Sequence, residues 1–155
     1  MGTEITIRGD SLAIRLAVIG YENPEATDVD DANWLAVTAT VEAPGLFAST
    51  KLSLVAAELK EFRDQLRMSQ ETLAGSARLE SLEQAISVNV VYGSLGRARI
   101  SGELRLNGGE SLKLTFSGET DQTLLQSVLV ALDEAVSAYP EIKTYRFTES
   151  AVRPS

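Results

Sequence analysis

The chain has 155 residues, of which 44% are hydrophobic and 23% are charged, a composition typical of one globular domain and unlike that of disordered chains. It contains neither cysteine nor histidine, which excludes disulfides, a thiolate nucleophile, a histidine general base and metal sites built from these side chains. The formal net charge of −8 disfavours nucleic acid and anionic membranes as partners and would attract a basic protein surface. The alternative is that this acidity serves solubility alone, as in many cytosolic proteins.

The first half of the chain shows the two-residue alternation of β-strands, followed by one helix. Strands are predicted at residues 3–7, 12–19, 34–41 and 46–52. Pro44-Gly45 predicts a turn between the last two. From Val55 the apolar spacing becomes that of an amphipathic helix, which is predicted to run to about Ser69.

The second half repeats this pattern after a polar connection that contains Gly75. Strands are predicted at residues 86–92, 97–106 and 112–116, with a hairpin turn at Asn107-Gly108-Gly109. The last helix is predicted to start after an N-cap at Thr120 or Asp121 and to end before Pro140. From Ile142 the chain could add an edge strand.

These elements predict an α+β fold with a mainly antiparallel sheet and two helices packed on one face, in the order β(βββα)(βββα). Residues 1–150 are expected to form one domain, and residues 151–155 a flexible tail. A duplicated architecture stays open, although the halves show no obvious similarity in sequence. We see no signal peptide and no transmembrane stretch, and we therefore expect a cytoplasmic protein. Gly2 and Thr6 match a loose myristoylation pattern that lacks a second membrane signal.

Most candidate catalytic motifs fail, so no catalytic residue, metal or cofactor is predicted. Asp28, Asp30 and Asp31 resemble the start of a calcium loop, but the later glycine and bidentate glutamate are missing. The stretch 93–97 lacks the lysine and spacing of a phosphate-binding loop and predicts a hairpin turn. No carboxylate pair stands out as an acid and base of the glycosidase type.

Two charged segments are candidates for binding. Arg97, Arg99 and Arg105 alternate along one strand and could grip an anion, although cross-strand pairing with carboxylates is the commoner fate of such side chains. The second segment concentrates carboxylates beside two aromatic residues of the kind enriched at binding hot spots. Its predicted partner-binding residues are Tyr21, Glu22, Glu25, Asp28, Asp30, Asp31, Asn33 and Trp34. The alternative is that Trp34 is a buried strand residue and Asn33 a turn former.

Three short stretches point to a known family. They are Gly20-Tyr21-Glu22-Asn23-Pro24, Asp31-Ala32-Asn33-Trp34-Leu35 and Glu119-Thr120-Asp121-Gln122-Thr123-Leu124. In this order they resemble the WapI-like immunity proteins that accompany contact-dependent bacterial toxins of the wall-associated kind, over residues 12–140. The resemblance implies a non-enzymatic cytoplasmic antitoxin that binds a cognate toxin domain directly. Such toxins are often nucleases, whose basic surfaces would attract an acidic partner.

Three function classes therefore remain. The first is an immunity protein, which would protect cells that express its toxin. The second is an adaptor or chaperone-like domain, which would bind another protein and give no protection. The third is a carboxylate-based or metal-assisted enzyme, whose turnover would depend on Asp28, Asp30 or Asp31.

Overall fold

The computed structural model describes residues 3–106 and 112–143, which form eight strands and three helices. The strands are β1 (Thr3–Arg8), β2 (Ala13–Tyr21), β3 (Trp34–Ala43), β4 (Leu46–Val55), β5 (Ser76–Glu80), β6 (Ile86–Tyr92), β7 (Arg97–Arg105) and β8 (Lys113–Asp121). The helices are α1 (Val29–Ala32), α2 (Ala56–Thr72) and α3 (Gln122–Ala138). The turn predicted at Asn107-Gly108-Gly109, nearly all of the predicted edge strand after Ile142 and the predicted tail 151–155 lie outside the described residues.

The strands form two antiparallel sheets of four strands, ordered β1-β2-β3-β4 and β5-β6-β7-β8. The predicted α+β class is confirmed, but the strands divide between two sheets. The reason is β5, which the sequence analysis left inside a polar connection because only Ala77 and Leu79 supply its apolar alternation. With β5 present, each half contributes a complete meander, and α2 separates the two.

The two halves repeat one architecture of four strands and a 17-residue helix. Strand registers match between them, since Leu35 pairs with Leu54 as Ala98 pairs with Thr120. The helices bury side chains at the same offsets: Leu59, Phe62, Leu66 and Ser69 in α2, and Leu125, Val128, Leu132 and Ala135 in α3. The structure therefore has the duplicated order that the sequence left open.

Each helix lies against the first strand of the other half, α2 against β5 and α3 against β1. The inner faces of both sheets and the apolar stripes of both helices meet in one hydrophobic cluster. None of the helices formed by the described residues is long and apolar enough to cross a membrane. The core thus depends on contacts between the halves.

The two helices run antiparallel, and polar side chains join them along their length. Gln70 near the end of α2 donates to the carbonyl of Gln122 at the start of α3, at 2.7 Å. Near the middle, Arg63 and Arg67 both donate to Asp133. Burial raises the pKa of the Asp133 carboxyl, but these hydrogen bonds outweigh burial, so its pKa lies below the ordinary value.

The ends of α3 follow the sequence prediction. The Asp121 carboxylate accepts a hydrogen bond from the Leu124 amide at 2.9 Å, which makes Asp121 the N-cap. At the other end, the Tyr139 amide donates to the Ala135 carbonyl at 2.9 Å, and Pro140 follows. Proline disfavours helical backbone in the residue before it, so the helix ends there.

Candidate protein-binding site

The acidic loop, defined here as residues 22–33, connects β2 to β3 and is mostly exposed. It contains the short helix α1, which the sequence analysis treated as loop. The Asp28 carboxylate accepts from the Asp30 amide at 3.2 Å and caps this helix. Asp28 therefore has a structural use in addition to its charge, and α1 fixes the positions of Asp30 and Asp31.

Beside α1 the loop forms a shallow recess of about 560 Å³. Its lining carries the carboxylates of Glu22, Glu25 and Asp31. Within residues 3–106 and 112–143, acidic side chains nowhere gather in a group of three that could hold a metal ion. The three carboxylates that line the recess give it a negative charge.

Trp34 begins β3 directly after the acidic loop. Its carbonyl accepts from the Glu22 amide at 2.8 Å, and the Glu22 carboxylate accepts a hydrogen bond from Ser53 on β4. Because Leu35 points into the core, the alternation of the strand places Trp34 on the outer face of the first sheet, where it is half-buried. An aromatic surface thus stands directly beside the acidic loop.

The outer face next to Trp34 carries small side chains of mixed character, since Ala36 pairs with Gly20 and Ser53. A β-bulge interrupts the pairing of β2 between Val18 and Gly20 and leaves Ile19 59% exposed. Ala17 and Ala36 lie on the same face and are too small to stand above it. Sequence reasoning missed Ile19, since it counted this residue as part of a regular strand. The one available signal was Gly20, a common mark of a bulge.

Two of the predicted binding residues face inward. The Tyr21 hydroxyl donates to the Pro140 carbonyl at 2.6 Å, and its ring meets Tyr139 edge to face at 5.6 Å. Asn33 is 7% exposed; its amide nitrogen donates to the carbonyls of Val29 and Ile142, both at 2.9 Å. Its side-chain oxygen accepts from the Ile142 amide at 2.6 Å. Both residues hold the segment after α3 against the acidic loop.

Replacing Asn33 by alanine is expected to lower the free energy of unfolding by about 2–3 kcal/mol, because alanine cannot replace the three hydrogen bonds of this buried side chain. Urea denaturation at neutral pH measures this change. Asn23→Ala is the matched control, since the Asn23 amide makes one exposed contact of 3.4 Å to the Asp31 carbonyl. Equal losses for both variants would contradict the structural role of Asn33.

The arginine face lies on the outer side of the second sheet. Arg99 pairs with Glu119 across the strands at 2.6 Å, as the cross-strand interpretation expects. Lys113 approaches Glu103 at 3.7 Å on the same face. A broad polar groove of about 630 Å³ crosses this face and includes Arg78 and Arg105. Its charges are mixed, so it does not select one sign of ligand.

Comparison with known proteins supplies the family. Curated proteins include no significant match to the chain. A family model described as the immunity protein WapI-like family matches residues 5–140. That range covers most of the chain, both sheets and both long helices, and it supports a toxin-neutralising role with a toxin as the partner. The chain belongs to the WapI-like immunity protein family.

Proposed function

We propose that this chain is a non-enzymatic, cytoplasmic immunity protein that neutralises its toxin by direct contact through the acidic loop and the adjoining face of the first sheet. The contact surface comprises Trp34 and Ile19 with the recess carboxylates Glu22, Glu25 and Asp31. The family supports the general role, and the absence of cysteine and histidine from the sequence agrees with action by binding. The toxin surface that fits this site is basic, as in the substrate channel of a nuclease.

The observation that carries the proposal is the difference between the two halves at equivalent connections. In the second half, β6 joins β7 through a tight turn at residues 93–96. In the first half, β2 joins β3 through the acidic loop of residues 22–33. The repeated fold therefore closes with a four-residue turn at this position in the second half, whereas the first half has a longer loop rich in carboxylates. Such elaborated loops on a rigid scaffold are the usual sites of binding.

The proposed surface also has the anatomy of a protein interface. Binding energy concentrates in a desolvated apolar centre, while charges at the rim mainly set the association rate and its dependence on salt. Trp34 and Ile19 supply the centre, and the carboxylates of the acidic loop supply the rim on one side. Small side chains such as Ala17 and Ala36 allow the partner to approach the sheet closely.

The test needs a candidate toxin domain, and the genes that neighbour the one for this chain are the first place to look for it. We expect co-expression of this chain to restore growth of cells that express the toxin domain, and calorimetry to detect a complex of the two purified proteins. An adaptor or chaperone-like domain would give no protection and no complex. Protection without any complex, accompanied by chemical conversion of the toxin or its product, would reject the binding mechanism in favour of an enzyme.

A further inference from the structure

Leu95 stands at the tip of the turn between β6 and β7 and is 94% exposed. Its backbone lies in the left-handed region, with φ 59° and ψ 33°. Leucine disfavours this region because its Cβ crowds the backbone, whereas glycine and asparagine tolerate it. Neither the exposure nor the conformation of Leu95 helps the chain to fold. Strained residues of this kind cluster at functional sites.

The turn holds Leu95 in a fixed position. The Gly93 amide donates to the Arg97 carbonyl at 2.8 Å and closes the turn. Gly96 has φ 75°, and a Cβ at this residue would lie 2.8 Å from the side chain of Gln122 at the start of α3. The turn is therefore packed against a long helix. When a partner covers Leu95, little conformational entropy is therefore lost from the backbone, which the turn already fixes.

The surroundings of Leu95 define the chemistry of a partner. Val91, which is 50% exposed, lies on the strand that leads into the turn. Arg97 follows at the start of the next strand with an exposed side chain, while Arg99 beyond it pairs with Glu119. A matching surface would offer an apolar pocket for Leu95 and carboxylates beside it. This chemistry differs from that of the acidic loop, which fits a basic surface.

The position of the turn relates it to the acidic loop. Both connect the second strand of a half to the third, and each lies at the start of a long helix: the Asn33 carbonyl accepts from Ala56 of α2, and Gly96 packs on Gln122 of α3. Because the helices are antiparallel, the two connections lie at opposite ends of the helix pair. A 17-residue helix spans roughly 25 Å, which is about the width of an interface that buries about 800 Å² per partner.

We propose that Leu95 is a second contact with the toxin, at which its side chain enters an apolar pocket with an acidic border. This inference rests on the proposed function, since it assigns a further part of the same complex. It gives Leu95 a role that compensates for its exposure and its strained backbone. It also assigns Arg97, the first residue of β7, to a carboxylate of the partner.

Calorimetry with the purified toxin domain and the full chain tests the proposal. Leu95→Asn keeps a residue that tolerates the left-handed backbone and removes the apolar group, so we expect affinity to fall about tenfold or more. The melting temperature should stay unchanged or rise by a few degrees (~2–4 °C) as strain is relieved. Leu95→Met should bind within about threefold of the parent, since it conserves apolar volume.

Leu73→Asn is the matched control, because Leu73 is also left-handed, with φ 54°, and lies at the end of α2 with 38% exposure. Its affinity for the toxin should equal that of the parent. Parental affinity in Leu95→Asn would overturn the inference and leave the proposed function intact. Self-association of the parent chain that Leu95→Asn abolishes would assign the turn to a second copy and overturn it too. No complex between the parent chain and the toxin would reject both proposals.

Discussion

Replacing Trp34 by alanine is expected to weaken toxin binding by about 2–4 kcal/mol, or roughly 30-fold to 1,000-fold in Kd. Trp34 is the largest side chain beside the acidic loop, and part of its surface stays exposed. Covering the remainder removes apolar area from water at the centre of the proposed interface. Calorimetry gives the change in Kd, and co-expression should show a matching loss of growth protection.

The matched control for Trp34 is Phe47→Ala. Phe47 is an aromatic residue on the same outer face, 67% exposed, and it pairs with Glu42 at the far end of the β3–β4 hairpin. Its removal should leave toxin affinity within about twofold of the parent, because it lies outside the proposed surface. Circular dichroism and melting curves should confirm that both variants fold. Parental affinity in a folded Trp34→Ala variant would place the interface elsewhere.

Reversing the charge of the acidic loop is expected to slow association by roughly 10-fold to 100-fold at low salt and to change dissociation much less. The combined variant is Glu25→Lys, Asp28→Asn, Asp30→Lys and Asp31→Lys. Asparagine at position 28 removes the charge yet keeps an N-cap for α1, so the loop should retain its structure. Stopped-flow mixing with the toxin at several ionic strengths measures the association rate, whose fall with salt should become shallow.

The control for this variant reverses carboxylates on the exposed surfaces of α2 and α3: Glu61→Lys, Glu71→Lys and Glu134→Lys. These side chains are exposed and lie on the helices, away from the recess. If net charge alone steers the complex, both sets of substitutions slow association alike. If the acidic loop faces the toxin, the loop variant is much slower than the helix variant. Equal rates would therefore remove the loop from the interface.

Sequence alone predicted those elements whose periodicity is strong. The apolar stripe from Leu125 to Tyr139 has the period of a helix, and the alternation from Leu35 to Val41 has the period of a strand. Each period buries one face of only one kind of element, so both predictions were unambiguous. β5 was missed because Ala77 and Leu79 supply too short an alternation to stand out. The helix α1 has a single turn, which gives no measurable period. Without β5, the sequence showed no fourth strand in the second half, so the division into two sheets could not be predicted.

The candidate site was predicted in outline and not in its orientation. The cluster of carboxylates before Trp34 predicted a binding loop. In the structure this loop forms a recess, and Trp34 follows it at the start of β3. Tyr21 and Asn33 instead bind Pro140 and Ile142. These partners come more than a hundred residues later in the chain. No local pattern reveals such distant contacts. The exposure of Ile19 and Leu95 could not be predicted either, because it depends on a β-bulge at Ile19 and on a left-handed backbone at Leu95.

The exchange of helices between the halves has a consequence for how the protein loses its structure. Since α2 covers β5 and α3 covers β1, either half on its own would expose to water the apolar side of its first strand and the apolar stripe of its helix. We therefore expect neither half to be stable in isolation, despite the repeat. Unfolding of one half would uncover the apolar surface of the other, so melting should proceed in one cooperative step. The acidic loop and the turn at residues 93–96 should keep their distance from each other until that step.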